Sequence, residues 1–316
     1  MEFRTKIELQ RFQPAIGHDE KIMMLGSCFT ENIGERLTRG MFDVDINPFG
    51  TLYNPASIAK SIDRLLEERE FSKEELFEYQ GTWHSFAHHS RFSSSNPDMA
   101  LERINERFHK AADNLRRRVH HLIVTFGTAF VFSLEENGEI VANCHKLPAA
   151  RFRRTRLSVD EIVEEWTALL HRLLEGNPNL CITFTVSPIR HLADGAHGNQ
   201  LSKSTLLLAV DRLTEAIPQC RYFPSYEIQL DELRDYRFYA ADMTHPSEVA
   251  IDYIYSRFSE ACFSDSAQQA ATDCEKLYRQ MHHRPLTDNA EAITRFKAST
   301  EKLRQQLLDR YPYLNI

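Results

Sequence analysis

At 316 residues, 42% hydrophobic and 26% charged, the chain has apolar material for a full core and length for one large domain with an appendage, or for two domains. A formal net charge of -7 gives no global attraction for nucleic acid. No apolar run approaches the roughly 20 residues that span a bilayer, so no membrane segment is expected.

The amino-terminal stretch "MEFRTKIELQRFQP" alternates charged and apolar residues and has no apolar h-region, so a cytoplasmic protein is expected. "IMMLG" at residues 22–26 reads as a buried strand, and a helix is predicted from about Glu31 to Thr38, with Ile33 and Leu37 on one face. "FDVDINPFG" gives a short strand ended by Pro48 and Gly50. Residues 55–68 and 98–118 are periodic and charged and read as outer helices; "GTWHSFAHHSRFSSSNP" between them reads as a polar, aromatic loop. "HLIVTFGTAFVFS" is the clearest buried strand, broken by Gly127, and "EENGE" signals a hairpin turn in a small β excursion over residues 130–142.

A helix at 158–175, the apolar run "NLCITFTVSP", a helix at 201–217 and the short strand "CRYFPSYEI" follow. "HPSEVAIDYIYSRFSEAC" is a helix with Pro246 suited to its first turn. From about Ala267 an amphipathic helical tail is expected to pack on its own domain or to pair with a second copy. The βα alternation predicts a three-layer α/β/α domain with a mostly parallel sheet over residues 1–265 and a helical C-terminal extension over 266–316. Six cysteines without Cys-x-x-Cys or zinc-finger spacing argue against disulfides and a structural metal. Cys181 and Cys262 sit in apolar runs and read as core residues; Cys28 and Cys144 do not. "NLRRRVHH" and "RFRRTR" are basic clusters of the kind that form solvated faces.

In such a sheet the residues just past the strand ends gather at one rim. There "GSC" offers a hydroxyl and a thiol, Ser27 and Cys28, and "DMTHP" places Asp242 three residues before His245. A carboxylate beside an imidazole fixes its tautomer and stabilises its cation, the supporting pair of a nucleophile–His–Asp triad. The chain order is nucleophile, Asp, His.

"GSCFTENIGERL", "NPFGTLYNPASI", "HSFAHHSRFS", "NCHKLP", "TVSPIRH", "NQLSKSTLLLA", "YFPSYEI" and "DMTHPSEVAIDYI" together resemble the GSCFA family, a bacterial branch of the SGNH (GDSL) esterases, over roughly residues 20–260. Thr30 replaces the alanine of the family's name. The resemblance implies a flavodoxin-like sheet and hydrolysis of an O-acyl ester, with no cofactor and no metal. Laid over Gly-Asp-Ser-Leu, it puts Cys28 on the catalytic serine and Ser27 on the aspartate; shifted by one, Ser27 attacks instead. A thiolate at residue 28 would be activated by His245 and the helix N-terminus.

The oxyanion donors implied are the nucleophile's own N–H, Gly50, and a Gly-x-Asn block that aligns with Gly127-Thr128-Ala129, where Ala129 has no side-chain donor. Thr128 is one substitute, and Asn47 and Asn143 are others. His84, His89, His145 and Arg190 are candidate contacts to a small-molecule or carbohydrate ester. Acyl transfer to a polar or carbohydrate acceptor and a non-catalytic scaffold that binds a glycan or a protein are the alternatives.

Overall fold

The structure, a computed structural model, describes residues 4–283 and 289–316. Residues 1–3 of the amino-terminal stretch and 284–288 of the expected helical tail lie outside the described residues.

In chain order the first half comprises β1 (Lys21–Gly26), α1 (Cys28–Arg39), β2 (Val44–Ile46), α2 (Pro55–Leu66), β3 (Leu76–Tyr79), β4 (Thr82–Ser85), α3 (Pro97–Arg117) and β5 (Val119–Phe126). Then come β6 (Phe130–Leu134), β7 (Ile140–Val141), β8 (Phe152–Arg156), α4 (Val159–Gly176), β9 (Cys181–Val186), α5 (Gly195–Ala216) and β10 (Cys220–Phe223). A short α6 (Ser225–Glu227) runs into a π-helical turn, followed by α7 (Glu248–Cys262), α8 (Asp265–Met281) and α9 (Ala290–Arg310).

Five strands pair in the order β10-β9-β5-β1-β2, every pair parallel. Side chains alternate across a strand, and β1 shows what that does here. Met23 and Leu25 enter one buried cluster with Ile58, Ile62, Phe108, Trp166 and Leu206; Ile22 and Met24 enter another with Ile33, Leu37, Ile254 and Phe258. Helices α2 to α5 therefore cover one face and α1 and α7 the other, which makes the three-layer α/β/α arrangement expected from the sequence. Burial on both faces is why these strands read as continuous apolar runs.

Counted in chain order within the sheet, the strands run 2-1-3-4-5, so the connections leave β1 in opposite directions. The crevice for ligands in such a sheet lies at that reversal, between β1 and β5 beyond their carboxyl ends. Gly26 pairs with Thr125 there, at φ +148°, and a Cβ on it would lie 2.3 Å from the Thr125 carbonyl oxygen. No side chain fits at that close approach.

Several elements depart from the sequence expectation. The segment expected to be an aromatic loop begins with β4, which pairs antiparallel with β3 just before it; the turn residues Gln80 and Gly81 both take positive φ (51° and 73°), the conformation that hairpin turns need. "RFRRTR" holds β8, which pairs antiparallel with β6 and joins β7 in a three-stranded sheet. Pro246 lies outside α7: Ser247 is the N-cap, its hydroxyl accepting from the Ala250 amide at 3.4 Å. The tail forms α8 and α9, with Ala267 and Ala271 of α8 packed in the α1/α7 cluster and Arg310 and Tyr311 both donating to Asp273 (2.9 and 3.2 Å). Among the described residues no helix is long and apolar enough to cross a membrane.

Candidate active site

Helix α1 begins three residues earlier than the periodicity indicated, and this decides the geometry of the Gly-Ser-Cys turn. Ser27 is the N-cap, 1% exposed, with its Oγ accepting from the Phe29 amide at 3.3 Å. Cys28 is the first helical residue and lines a cleft of about 690 Å3. As a first-turn residue its amide has no carbonyl within the helix to bind.

Asn47 holds the turn from below, its Oδ1 accepting from the Gly26 amide at 2.9 Å. Asn47 itself is buried in a left-handed conformation (φ 44°), and Glu31 accepts from its Nδ2, from Thr51 and from Arg91. Burial, the largest influence, raises the Cys28 pKa above the ordinary thiol value, and the amides of Cys28 and Phe29 oppose it without overcoming it. Burial thus works against the thiolate expected at residue 28, and the first-turn amides alone do not offset it.

Asp242 and His245 form a closed turn. Asp242 Oδ1 accepts from the amides of Thr244 and His245 (2.9 and 3.0 Å), and its Oδ2 lies 2.6 Å from His245 Nδ1. Met243 between them takes φ 57°, which lets the carboxylate reach back. Those amides, and then the imidazole, hold the Asp242 carboxyl well below the usual carboxylate range. An ionised partner on Nδ1 fixes that nitrogen as the donor and leaves Nε2 as the basic one.

His245 lines the same cleft as Cys28, so the structure brings the two together across more than 200 residues of sequence. Thr128, His89, Asn143 and Arg190 line it as well. Arg190 is tied to the Asp242–His245 turn, its amide donating to the Thr244 carbonyl and its guanidinium to the Met243 carbonyl (3.1 and 3.2 Å). Phe130, Phe132, Val141 and Phe152 of the three-stranded sheet supply an apolar wall, with Arg154 stacked 4.2 Å over Phe130.

Of the amides expected to serve an oxyanion, those of Gly50, Gly127 and Thr128 are already engaged, and that of Cys28 is not among them. Gly50 donates to the Asn47 carbonyl at 2.8 Å, and Gly127 and Thr128 both donate to the Tyr53 carbonyl (2.8 and 2.9 Å). The Thr128 hydroxyl is shared with Ser202 (3.1 Å) and the Phe130 amide (3.1 Å). Gly50 is required for another reason: at φ +82° a Cβ would lie 2.2 Å from that of His89.

His84 and His145 stack 4.5 Å apart within the hairpin region, His84 bonded to Ser93 Oγ (2.7 Å) and His145 to the Ser85 carbonyl (2.8 Å). Asn143 caps the same bend, its Oδ1 accepting from the His145 amide at 2.9 Å. Among the described residues no group of three or more His, Cys, Asp or Glu is placed to hold a metal ion.

Two residues at the cleft escaped the sequence reading, one buried behind its wall and one in it. Lys203 of α5 is 0% exposed, and its ammonium donates to the carbonyls of Gly127 and Ser187, both at 2.6 Å. Burial pushes its pKa down to about 7. His191 follows Arg190 in the cleft wall, edge-on to Tyr53, its amide held by Asn199 at 2.9 Å. A signal for Lys203 was available: Leu206, Val210 and Leu213 continue backward at helical spacing to Lys203, Ser202 and Asn199, all buried.

Fold and site together define an α/β protein of 2-1-3-4-5 sheet order whose switch-point cleft holds a cysteine and an aspartate-paired histidine. The chain belongs to the GSCFA family, whose model matches residues 21–258. A search of curated proteins finds no match. Solved structures that it resembles include a family 3 carbohydrate esterase of Clostridium thermocellum (12% identity, 77% of this chain and 94% of that one, TM-score 0.38). A family 3 carbohydrate esterase from Talaromyces cellulolyticus (10%, 80% and 99%, 0.36) and an acetyl xylan esterase from the rumen bacterium Butyrivibrio proteoclasticus (11%, 78% and 64%, 0.38) are similarly distant.

Proposed function

We propose that this protein is an SGNH-type acyl hydrolase that cleaves an O-acyl ester with Cys28 as nucleophile, His245 as general base and Asp242 as the group that orients it. The observation that carries the reading is the shared cleft of Cys28 and His245 at the sheet's switch point, with His245 paired to Asp242 at 2.6 Å. Burial of Ser27 as a helix cap favours the neighbouring thiol as nucleophile.

In the first half-reaction the Cys28 proton passes to His245 Nε2 as Sγ bonds the ester carbonyl carbon and the carbonyl π pair moves onto oxygen. Collapse re-forms the carbonyl and breaks the C–O bond, and the departing alkoxide takes the proton from His245. Water then repeats the sequence on the thioester and returns the thiol. An acceptor hydroxyl in place of water makes the same chemistry acyl transfer. Arg190, Asn143 and His89 supply polar contacts suited to a carbohydrate or a small polar alcohol, and the phenylalanine wall suits the apolar part of the substrate.

The test is mass-spectrometric mapping of p-nitrophenyl acetate adducts on wild type, Cys28→Ala, Ser27→Ala and His245→Ala. The expected result is one acetyl group on Cys28, retained in Ser27→Ala and lost in His245→Ala. Acetylation independent of His245 would refute the reading. The non-catalytic scaffold is favoured by one observation, the engagement of the Gly50, Gly127 and Thr128 amides; absence of any His245-dependent adduct would bring it forward.

A further inference from the structure

We propose that the His191 side chain supplies the oxyanion donor that the sequence lacks at Ala129, its Nε2–H bonding the developing oxygen when Cys28 attacks. The inference rests on the acyl-transfer reading above and goes beyond it by naming the group that stabilises the transition state.

The geometry at Gly127 points to this atom. A Cβ at Gly127 would stand 3.0 Å from the Tyr53 carbonyl oxygen, 3.3 Å from the Ser27 Cβ and 3.5 Å from His191 Nε2. The nucleophile turn and the imidazole nitrogen thus meet against the same glycine, whose missing side chain lets them approach. His191 Nε2 is buried and has no hydrogen-bond partner, a costly state for a polar atom unless something is meant to fill it. Of the other donors around Gly127, the Gly127 and Thr128 amides are spent on Tyr53 and the Gly50 amide on Asn47, which leaves the Cys28 amide beside His191 Nε2.

The backbone that carries the ring is also held at two points, and the ring itself lies edge-on to Tyr53. The His191 amide is fixed by Asn199, and the preceding Arg190 amide is fixed by Thr244, next to the base His245. Burial, with the Lys203 cation as the second influence, pushes the His191 pKa down to about 4. A neutral imidazole keeps one N–H, so it stabilises negative charge by hydrogen bonding without competing with His245 for the thiol proton.

The test separates this role from a structural one by comparing two reactions of the same thiol. Attack on p-nitrophenyl acetate develops an oxyanion, whereas alkylation of Cys28 by iodoacetamide displaces iodide and develops none at the carbonyl. His191→Phe keeps a ring without the donor, and His191→Gln keeps an N–H without the ring. The expected result is that acylation of His191→Phe slows by about 10²–10³-fold, mainly in kcat, and that of His191→Gln by less than about tenfold. Iodoacetamide alkylation should stay within about threefold of wild type in both.

Equal acylation of wild type and His191→Phe, with His245 still required, would overturn the role of His191 and leave the acyl-transfer reading standing. A parallel fall in acylation and alkylation, or failure of both variants to fold, would assign His191 to structure and overturn it too. A wild type that takes no acetyl group at all overturns both readings.

Discussion

Replacing Lys203 with methionine isolates a charge that the fold buries beneath the candidate site. The ammonium is fully enclosed, donates to two strand-end carbonyls at 2.6 Å, and has its pKa pushed down to about 7 from 10.5. Removing it leaves the Gly127 and Ser187 carbonyls without that donor, at a cost on the order of 1–3 kcal/mol each. It also removes a cation from a dry interior, a gain of similar size. Absolute stability at one pH is therefore a poor readout, and the pH slope is a good one.

Between pH 7 and 10.5 the unfolded wild-type chain holds a proton that the folded chain has released. By linkage, stability then rises with pH, by about 1.4 kcal/mol per unit. Below pH 7 both states are protonated and the slope vanishes. Wild type should gain roughly 2 kcal/mol between pH 7 and 9 relative to Lys203→Met, whose residue 203 does not titrate. Urea unfolding of both proteins at the two pH values, with m-values compared, measures it. Parallel changes in wild type and variant would refute the lowered pKa of the buried lysine.

Three further outcomes follow from the same geometry. Ser27→Ala removes the α1 cap and should lower stability by about 1 kcal/mol in urea unfolding while acylation of residue 28 persists; loss of acylation at unchanged stability would make Ser27 the reacting group. Asp242→Asn should lower the acylation rate by about 10²–10⁴-fold with the substrate KM little changed, and a rate equal to wild type would remove Asp242 from the mechanism. Burial holds His88 at about 3 and His145 at about 4, against 6.5 for a free imidazole. The unfolded chain alone takes up those protons below pH 6.5, so stability is full above that value and falls on acidification by about 1.4 kcal/mol per pH unit for each histidine. His88→Gln should flatten the fall between pH 6 and 4.5, and an unchanged urea-midpoint profile would contradict it.

Much of the layer structure was legible because burial on both faces writes itself as apolar runs: "IMML" and "LCITFTV" could hardly be anything but central strands. The Asp242–His245 pairing was legible because the two residues sit in one local turn. What the sequence hid had physical causes. Strand β8 exposes Arg153 to Arg156, so it reads as a charge cluster, and only its pairing with β6 makes it a strand. The start of α1 was placed late because the first turn of a helix is chosen by its cap, Ser27, and the apolar periodicity begins further on. The oxyanion amides looked available because sequence places a backbone near a site and says nothing of which carbonyl already holds its N–H.

Helix α5 explains how the rim keeps its shape. Its buried face is apolar at Leu206, Ala209, Val210 and Leu213, and turns polar at Lys203, Ser202 and Asn199 as the helix passes beneath the cleft. Each of those three side chains fixes a different piece of the rim: Lys203 the carbonyls of Gly127 and Ser187, Ser202 the amide of Ala129 (2.8 Å), Asn199 the amide of His191. Polar groups buried at this density are tolerable only when satisfied, and here one end of each bond belongs to a loop that would otherwise be free to move. The strand ends are thereby set before any ligand arrives, so no hydrogen bond in the rim has to re-form as charge develops. On the proposed acyl-transfer reading, α5 acts on the site without touching substrate, through the polar turn of its buried face.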